Sequence, residues 1–435
     1  MSGRKNREAD GEIKRERIRV CVIGAGAAGL CSVRHLASDL QKFEPAVFEQ
    51  CDVIGGTWVY TEKVGFHNGL PIHSSMYKDL KTNIPLKLMN FPDFQRMNQS
   101  QPSCGTHQQI LKYLQDYADH FNLCQYIQFN TRVENVLPIT EDDNWHETTW
   151  KVTIKNILTQ KTEDKYFDAI LVCNGHYVDP IIPSISGIET FSGDLMHSHD
   201  YRTPEKYTGK TVLILGSGPS GIDIGIEITH YANHVYLSHN RDRLISPLPS
   251  NMTETMGVEF INGNDFHLKD GTTVTADAFL LCTGYKYSFP FLNETCKVKV
   301  INGNHVTPLY KHLINIQHPK MAIVGVPSRV IPFPMFHMQI QYFLSILLGE
   351  TNLPSQEKMS EELVSQTSKY PHAFEPGYQW EYNDWLASEA KIEKLPEFYK
   401  YGYSEWTTKR ATNLLKYKNS TIVIEEDGKT VRFII

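Results

Sequence analysis

Gly24-Ala25-Gly26-Ala27-Ala28-Gly29 and Gly216-Ser217-Gly218-Pro219-Ser220-Gly221 are two glycine-rich hexapeptides that predict the architecture of this chain. Both have the spacing G-x-G-x-x-G, and both follow an apolar run that predicts a buried strand. In a Rossmann turn the first glycine allows the tight bend, the second lets the backbone approach a pyrophosphate, and the third allows the helix to pack closely on the strand. The helix N-terminus then binds the phosphates. The doubling predicts that one chain binds two dinucleotides.

The first turn has the surroundings that a dinucleotide-binding unit needs. Residues 17–23 precede it as a predicted strand, and apolar residues recur at helical spacing from Leu30 to Leu40. The next predicted strand, 46–49, ends in Glu49, about 20 residues after Gly29, where a carboxylate can bind a ribose hydroxyl. A lone G-x-G-x-x-G is weak evidence, because glycine-rich turns are common, but this context strengthens it.

The second turn differs from the first at the end of its second strand. Residues 211–215 lead into the turn, and residues 235–238 predict the neighbouring strand. No acid ends that strand, and Arg241 follows it instead. An arginine suits a 2′-phosphate that a carboxylate would repel, so this half favours NADP over NAD. The alternative is that Arg241 is an ordinary surface cation.

The stretch 191–201 identifies a family. It reads Phe-Ser-Gly-Asp-Leu-Met-His-Ser-His-Asp-Tyr and matches the F-x-G-x-x-x-H-x-x-x-[YF] signature of flavin-containing monooxygenases at every fixed position. The chain also resembles that family at 55–58, 81–85 and 90–94, and the resemblance runs from about Val20 to the helix after Pro334. It implies FAD and NADPH as cofactors. The expected fold is α/β, with two Rossmann-like dinucleotide-binding domains and the NADP domain inserted into the FAD domain.

The domain boundaries follow from these motifs. Apolar strands at 167–175 and 277–285 end on small residues and predict the crossovers between the domains. We therefore expect a flexible basic tail at 1–16, an FAD-binding domain beginning at 17–175, and an NADP-binding domain at 176–284. Residues 285–435 complete the FAD domain and add a C-terminal extension.

The resemblance implies a reaction. In this family, flavin reduced by NADPH takes up oxygen to form a C4a-hydroperoxyflavin, which transfers one oxygen atom to a soft nitrogen or sulfur nucleophile and releases the other as water. The expected enzyme is an N,N-dimethylaniline-type monooxygenase that forms N-oxides and S-oxides in xenobiotic metabolism. The protein must exclude water and stray protons from the peroxide, which otherwise decays to hydrogen peroxide.

The resemblance and the turns together name candidate site residues. For FAD they are Gly24, Gly26, Ala27, Ala28, Gly29, Glu49, Gly56, Thr57, Trp58, Thr82 and Asn83, and for NADPH they are Gly216, Ser217, Gly218, Ser220, Gly221 and Arg241. By resemblance Asn83 is the catalytic residue, because its amide can both donate and accept hydrogen bonds near the flavin and the nicotinamide. Its alternative role is that of a turn residue before Ile84-Pro85. His197 could orient the nicotinamide or only support the linker.

Composition bounds the partners and the location. At 435 residues with 41% apolar content the chain can form two domains, and its net charge of −6 argues against nucleic-acid binding. The eight cysteines show no C-x-x-C pair, which indicates reduced thiols, no metal site and a cytoplasmic protein. No apolar run is long enough for a transmembrane segment. Peripheral association with the endoplasmic reticulum through the basic tail, and a homodimer, stay open.

Four other functions compete with this interpretation. A disulfide reductase would need a redox cysteine pair soon after the first acid, where only Cys51 stands. A Baeyer-Villiger monooxygenase, which oxygenates ketones, usually ends the linker signature in W-[PD], where this chain has Tyr201-Arg202. A nucleotide-binding redox sensor would show damaged turns or lack Asn83. An NADPH oxidase that releases hydrogen peroxide stays an alternative with the same cofactors.

Overall fold

The computed structural model describes residues 17–67, 69–96, 103–139, 148–364, 370–425 and 427–434. The expected basic tail, 1–16, lies outside the described residues. The helices of the described part are α1 (Ala27–Ala37), α2 (Leu86–Met89), α3 (His107–His120), α4 (Pro219–Ile228), α5 (Pro332–Leu347), α6 (Gln356–Val364), α7 (Tyr378–Ala390) and α8 (Phe398–Thr412).

The first sheet has seven strands and a parallel centre. Its spatial order is Leu309–Tyr310, Ile314–Asn315, Met321–Ile323, Ala169–Val172, Ile18–Ile23, Phe43–Phe48 and Ile127–Gln128. The last five strands of this order run parallel to one another, whereas the first two pair antiparallel. Helix α1 packs between this sheet and α5 in the largest apolar core of the described residues. This is the βαβ arrangement that the first glycine turn predicts.

The second sheet has five strands, all parallel. Its order is Asp194–His197, Ala278–Leu281, Thr211–Leu215, His234–His239 and Met252–Met256. The chain leaves the first sheet after Val172 and returns to it at Leu309, so the second sheet is formed entirely within that interval. The expected fold class, with one Rossmann-like domain inserted into another, is confirmed.

The two crossovers between the sheets run side by side. Asp179–Pro180 pairs antiparallel with Tyr285–Lys286, and the backbone N–H of Ile181 donates to the carbonyl of Gly284 at 2.9 Å. The outgoing and returning chains therefore hold each other where they pass between the domains.

Antiparallel strands and C-terminal helices complete the described structure, and the sequence patterns did not predict most of them. The strands are Thr131–Ile139, Thr149–Asn156 and Thr162–Phe167 in one sheet, Val258–Asn262, Asp265–Leu268 and Thr273–Thr275 in another, and the pairs Phe66–His67 with Leu70–Pro71, Lys299–Ile301 with His305–Thr307, and Thr421–Ile424 with Val431–Ile434. Helix α1 begins and ends three residues before its predicted bounds, because the helix starts directly at the glycine turn. None of the described helices has the length and apolarity needed to cross a membrane.

Candidate functional site

The first glycine turn has the strained geometry that its sequence predicts. Gly24 has φ +100°, in the left-handed region that favours glycine, and its N–H donates to the carbonyl of Phe48 at 2.9 Å. A Cβ on Gly29 would lie 1.9 Å from the Gly24 carbonyl oxygen, so the helix approaches the turn closely because residue 29 has no side chain. Helix α1 then begins at Ala27 with no side-chain cap.

The middle glycine of this turn faces a second glycine. A Cβ on Gly56 would lie 3.0 Å from the Cα of Gly26, and the N–H of Gly55 donates to the carbonyl of Ala25 at 3.0 Å. The 55–58 segment thus lies directly over the start of α1. Two backbones without side chains face each other beside the N–H groups of Ala27 and Ala28, as a pyrophosphate site requires.

Glu49 is held beside the same turn. Its buried carboxylate accepts the backbone N–H of Ala25 at 2.7 Å through Oε2 and that of Cys51 at 2.8 Å through Oε1. A carboxylate has about four acceptor sites, so two of them serve to orient it and others can accept ribose hydroxyls.

Thr57 provides a test of whether a cofactor fits this cradle. Its Oγ1 is buried, yet it has no hydrogen-bond partner in the described part of the chain. Buried hydroxyls are normally partnered, so an orphaned one beside an uncapped helix start indicates a polar ligand. Trp58 is half-buried and packs on the core that contains α1. The residues present therefore fit FAD.

Thr82 and Asn83 lie on a segment that is fixed by its backbone. Thr82 exchanges hydrogen bonds with Gly105, donating its N–H at 2.8 Å and accepting at Oγ1 at 3.2 Å. The Asn83 carbonyl accepts the indole N–H of Trp406 at 2.8 Å. The side-chain amide of Asn83 is half-buried and has no hydrogen-bond partner among the described residues. Hydrogen bonds therefore fix the backbone of this segment, whereas the side-chain amide of Asn83 can still bind a ligand.

The second turn repeats the first with one open position. Gly216 has φ +113°, and a Cβ on Gly221 would lie 1.8 Å from the Gly216 carbonyl oxygen. A Cβ on Gly218 would have no neighbouring atom within 4 Å, so this glycine borders open space at the uncapped start of α4. Ser217 is buried and Ser220 half-buried at the same helix start.

Arg241 lies at the sheet edge that carries the second turn. The N–H of Gly216 donates to Ser238 at 2.8 Å, which brings the ends of the two strands together. The backbone N–H of Arg241 donates to Nδ1 of His239 at 3.2 Å, and His239 Nε2 lies 2.8 Å from a carboxylate oxygen of Glu254. The exposed guanidinium has no partner in the part of the chain that the structure describes.

His197 lies at the crossover rather than at a glycine turn. Its Nδ1 accepts the backbone N–H of His199 at 3.0 Å, so the proton of the neutral ring is on Nε2. Burial, with a smaller contribution from His199, lowers the pKa of His197 to about 4, and the ring is neutral at pH 7. It meets the ring of Tyr285 edge-on at 5.3 Å. Nε2 is buried and has no hydrogen-bond partner among the described residues, so these contacts fit both the linker role and a role beside the nicotinamide.

Arg202 is an interdomain contact that the sequence analysis did not assign. Its guanidinium donates to the carbonyls of Thr61 at 2.7 Å, Lys63 at 3.0 Å and Ser74 at 3.2 Å. It therefore joins the linker signature to a loop of the first domain. A signal was present, since Tyr201-Arg202 is the dipeptide that differs from the Baeyer-Villiger pattern.

Three potential metal ligands lie together in the described ranges, although the sequence predicts no metal site. The ligand atoms of Cys31, His35 and His337 are within 4.8 Å of one another, and His35 Nε2 lies 3.1 Å from His337 Nδ1. The two imidazoles can satisfy each other, and burial, with a smaller contribution from Arg34, lowers the pKa of His337 to about 3. Because each imidazole already has the other as a hydrogen-bond partner, we assign this group no metal function.

Comparison with known proteins identifies the family. The sequence model described as flavin-binding monooxygenase-like matches residues 17–248 and 250–389. Flavin-containing monooxygenase FMO GS-OX-like 4 of Arabidopsis thaliana is 33% identical over 428 residues, which cover 92% of this chain and 93% of that protein.

Two solved structures are similar over nearly their whole length. S-allyl-L-cysteine S-oxygenase from Allium sativum has a TM-score of 0.84 and 30% identity, covering 93% of this chain and 96% of its own. Tmm from Pelagibacter sp. strain HTCC7211 has a TM-score of 0.84 and 28% identity, covering 95% of each chain. The family uses FAD and NADPH, which confirms the two dinucleotides expected from the sequence. The chain belongs to the flavin-binding monooxygenase-like family.

Proposed function

We propose that this chain is an NADPH-dependent monooxygenase that transfers one oxygen atom of O2 to a soft nitrogen or sulfur atom of a small molecule. The single observation that carries the proposal is the placement of Asn83. Its amide has no hydrogen-bond partner among the residues that the structure describes, and it lies on a segment that Lys418 connects to helix α4 by binding both the Lys81 carbonyl and Asp223.

The cofactors are assigned to the two turns. FAD would be held by Gly24, Gly26, Ala27, Ala28, Gly29, Glu49, Gly56, Thr57, Trp58 and Thr82, and NADPH by Gly216, Ser217, Gly218, Ser220, Gly221 and Arg241. This assignment divides the chain into an FAD domain at 17–175 and 285–435 and an NADP domain at 176–284. When bound, the flavin supplies the electrons and the oxygen activation.

The protein contributes position, hydrogen bonding and exclusion of water. The amide of Asn83 can donate to a reacting oxygen through its NH2 and accept through its carbonyl, which a carboxylate cannot do. Helix starts without side-chain caps orient both pyrophosphates. Arg202 joins the linker to the 61–74 loop and supports a closed boundary between the domains.

A small thioether is our first choice of substrate, and a tertiary amine is the second. The support is the similarity in sequence and fold to an enzyme that oxygenates the sulfur of S-allyl-L-cysteine. N,N-dimethylaniline-type oxidation requires the same soft nucleophile with nitrogen in place of sulfur, so it stays part of the proposal.

The test is isotope transfer with the FAD-loaded protein. NADPH and 18O2 are supplied with S-allyl-L-cysteine or N,N-dimethylaniline, and product, NADPH consumption and hydrogen peroxide are measured together. One 18O atom in an S-oxide or N-oxide, with close to one product per NADPH, is the expected result. Stoichiometric hydrogen peroxide without product would identify an NADPH oxidase instead. Oxygen inserted only into a ketone such as cyclohexanone would identify a Baeyer-Villiger enzyme.

We propose a cytoplasmic location on the evidence of the thiols. All eight cysteines are free, and six of them are buried among apolar neighbours, which suits a reducing compartment. Association with the endoplasmic reticulum would depend on the basic tail outside the described residues, and cell fractionation with and without residues 1–16 tests it. The homodimer stays a prediction, which light scattering of the purified protein would test.

A further inference from the structure

The C-terminal part of the chain reaches both domains beside the proposed site. After the family match ends at residue 389, the chain forms α8, a turn at 417–419 and a hairpin. We call residues 398–424 the C-terminal clamp. Its largest side chains, Trp406 and Tyr417, are each 1% exposed and pack with Cys104 of the first domain. The clamp is thus part of the folded core and not a peripheral tail.

The clamp holds the backbone around Asn83. Nε1 of Trp406 donates to the Asn83 carbonyl at 2.8 Å, and Nζ of Lys418 donates to the Lys81 carbonyl at 3.0 Å. A third bond joins the N–H of Ser103 to the Ser420 carbonyl at 3.1 Å. The carbonyl groups of the residues before and after Thr82 therefore accept hydrogen bonds from side chains of the clamp.

The C-terminal clamp also binds residues of the second domain. Nζ of Lys418 also lies 2.8 Å from Oδ2 of Asp223, which is in α4 shortly after Gly221. The two side chains are only 17% and 15% exposed. The N–H of Leu414 donates to Oγ of Ser246 at 2.9 Å, and Ser246 lies in the loop between strands His234–His239 and Met252–Met256 of the second sheet. One ammonium thus connects the Asn83 segment to the helix that begins at the second glycine turn.

A largely buried ion pair is weak evidence for stability, because desolvation offsets much of its attraction. Such pairs are best supported as devices that fix register between elements. In this protein the Lys418–Asp223 pair would fix the position of the Asn83 segment relative to helix α4. Misplacement of a reacting group by about 1 Å can cost about 10²-fold in rate.

We infer that the C-terminal clamp sets the position of Asn83 relative to bound NADP, with Lys418 and Trp406 as its positioning residues. This inference rests on the proposed function. Loss of either contact lets the amide and the nicotinamide shift apart, so electrons delivered by NADPH leave as hydrogen peroxide instead of entering the product.

The test compares variants by product formed per NADPH consumed, a ratio that does not depend on how much protein is folded. Lys418→Met keeps the aliphatic stem and removes the charge, and Trp406→Phe keeps a ring and removes the donor. We expect the ratio to fall about fivefold or more in each, and Lys418→Arg to recover at least half of the loss. Lys429→Met is the matched control, since Lys429 pairs with Glu397 at 2.6 Å on the exposed surface of the same C-terminal region.

A second readout is independent of turnover. Hydrogen exchange of the amides at 80–86 is measured in the FAD-loaded wild type, Lys418→Met and Lys429→Met. We expect about tenfold faster exchange in Lys418→Met alone. Exchange in Lys418→Met at the wild-type rate would overturn the inferred role of the clamp. So would a wild-type ratio of product to NADPH in the variants, provided that the wild type itself forms oxygenated product. A wild type that forms only hydrogen peroxide would overturn the proposed function, and the exchange result would then still decide the clamp.

Discussion

The backbone carbonyl of Asn83 is bound within the protein, whereas its side-chain amide is left for a ligand. The carbonyl is bound by Trp406 at 2.8 Å, whereas the amide has no partner within the described ranges. A residue kept only for a local turn would be expected to use its side chain on nearby backbone. This division of roles favours the catalytic interpretation over the structural one.

Replacing Asn83 should separate cofactor binding from oxygen transfer. In Asn83→Ala and Asn83→Asp we expect retained FAD and a product rate lowered about 10²-fold, because one positioned donor is removed or replaced by a charge. Hydrogen peroxide per NADPH should rise correspondingly. Product and peroxide assays, with the flavin content measured at 450 nm, check this. Wild-type yields in both variants would exclude the assigned role.

Arg241 provides a second test at the residue scale. Its exposed guanidinium is free of protein partners in the described structure, at the edge beside the second glycine turn. We expect Arg241→Ala to raise the KM for NADPH about tenfold while the KM for NADH changes little, because only NADPH carries the 2′-phosphate. Steady-state kinetics with both cofactors measure this. An equal change for NADPH and NADH would show that the residue does not bind that phosphate.

At the scale of elements, the two strand–turn–helix units share one geometry. In each unit the third glycine packs against the carbonyl oxygen of the first. A Cβ would lie 1.9 Å from that oxygen on Gly29 and 1.8 Å from it on Gly221. The middle glycines differ, because Gly26 faces Gly56 whereas Gly218 faces open space. In the second unit a side chain would therefore clash with backbone at Gly216 and Gly221, whereas Gly218 borders space that a ligand can enter.

This difference defines a matched pair of substitutions. Gly221→Ala should destabilise the protein by about 1–3 kcal/mol, because the new methyl group meets backbone that cannot move aside cheaply. Gly218→Ala should leave the melting temperature unchanged and raise the KM for NADPH, since the methyl group enters the space proposed for the pyrophosphate. Thermal unfolding and NADPH titration distinguish the two effects. Normal NADPH affinity in Gly218→Ala would contradict the placement of the pyrophosphate.

At the scale of the whole molecule, the linker signature is anchored to helix α4 within the second domain, besides the contacts of Arg202 with the first domain. Tyr201, the last residue of the family signature, donates its hydroxyl to Oε2 of Glu227 in α4 at 2.7 Å. Mainly because of burial, the pKa of Glu227 rises from its ordinary value of 4.5 to about 7. The folded protein therefore binds this proton more tightly than the unfolded chain does. The resulting stabilisation is complete below pH 4.5 and is lost as the pH rises through 7.

Glu227→Gln should reveal this titration. Glutamine keeps the acceptor for Tyr201 and cannot ionise, so the melting temperature of the wild type should fall relative to the variant as the pH rises from 4.5 to about 7. Calorimetric scans of both proteins across that range measure the difference. A difference that does not change with pH would mean that Glu227 keeps its ordinary pKa.

Local patterns in the sequence were enough for the fold class and for much of the candidate site. The glycine turns, the strands before them, Glu49 and the signature ending in Tyr201 each depend on spacing within a short segment. Physical rules act on such segments directly, because a tight turn needs glycine and a helix face needs periodic apolar residues. The helix after Pro334, at which the family resemblance ends, is found as Pro332–Leu347.

Contacts between distant segments were decided only by the tertiary structure. Lys418 and Asp223 are 195 residues apart in the chain, Trp406 and Asn83 are 323 apart, and Arg202 reaches carbonyls more than a hundred residues before it. A lysine, a tryptophan or an arginine carries no local signal of its partner, since each partner is a backbone carbonyl or one acid among many. The sequence by itself determined two dinucleotide-binding units and their family. Packing of the C-terminal segment brings Trp406 and Lys418 to the carbonyls on either side of Thr82 and to Asp223, because only the folded chain brings those groups within hydrogen-bonding distance.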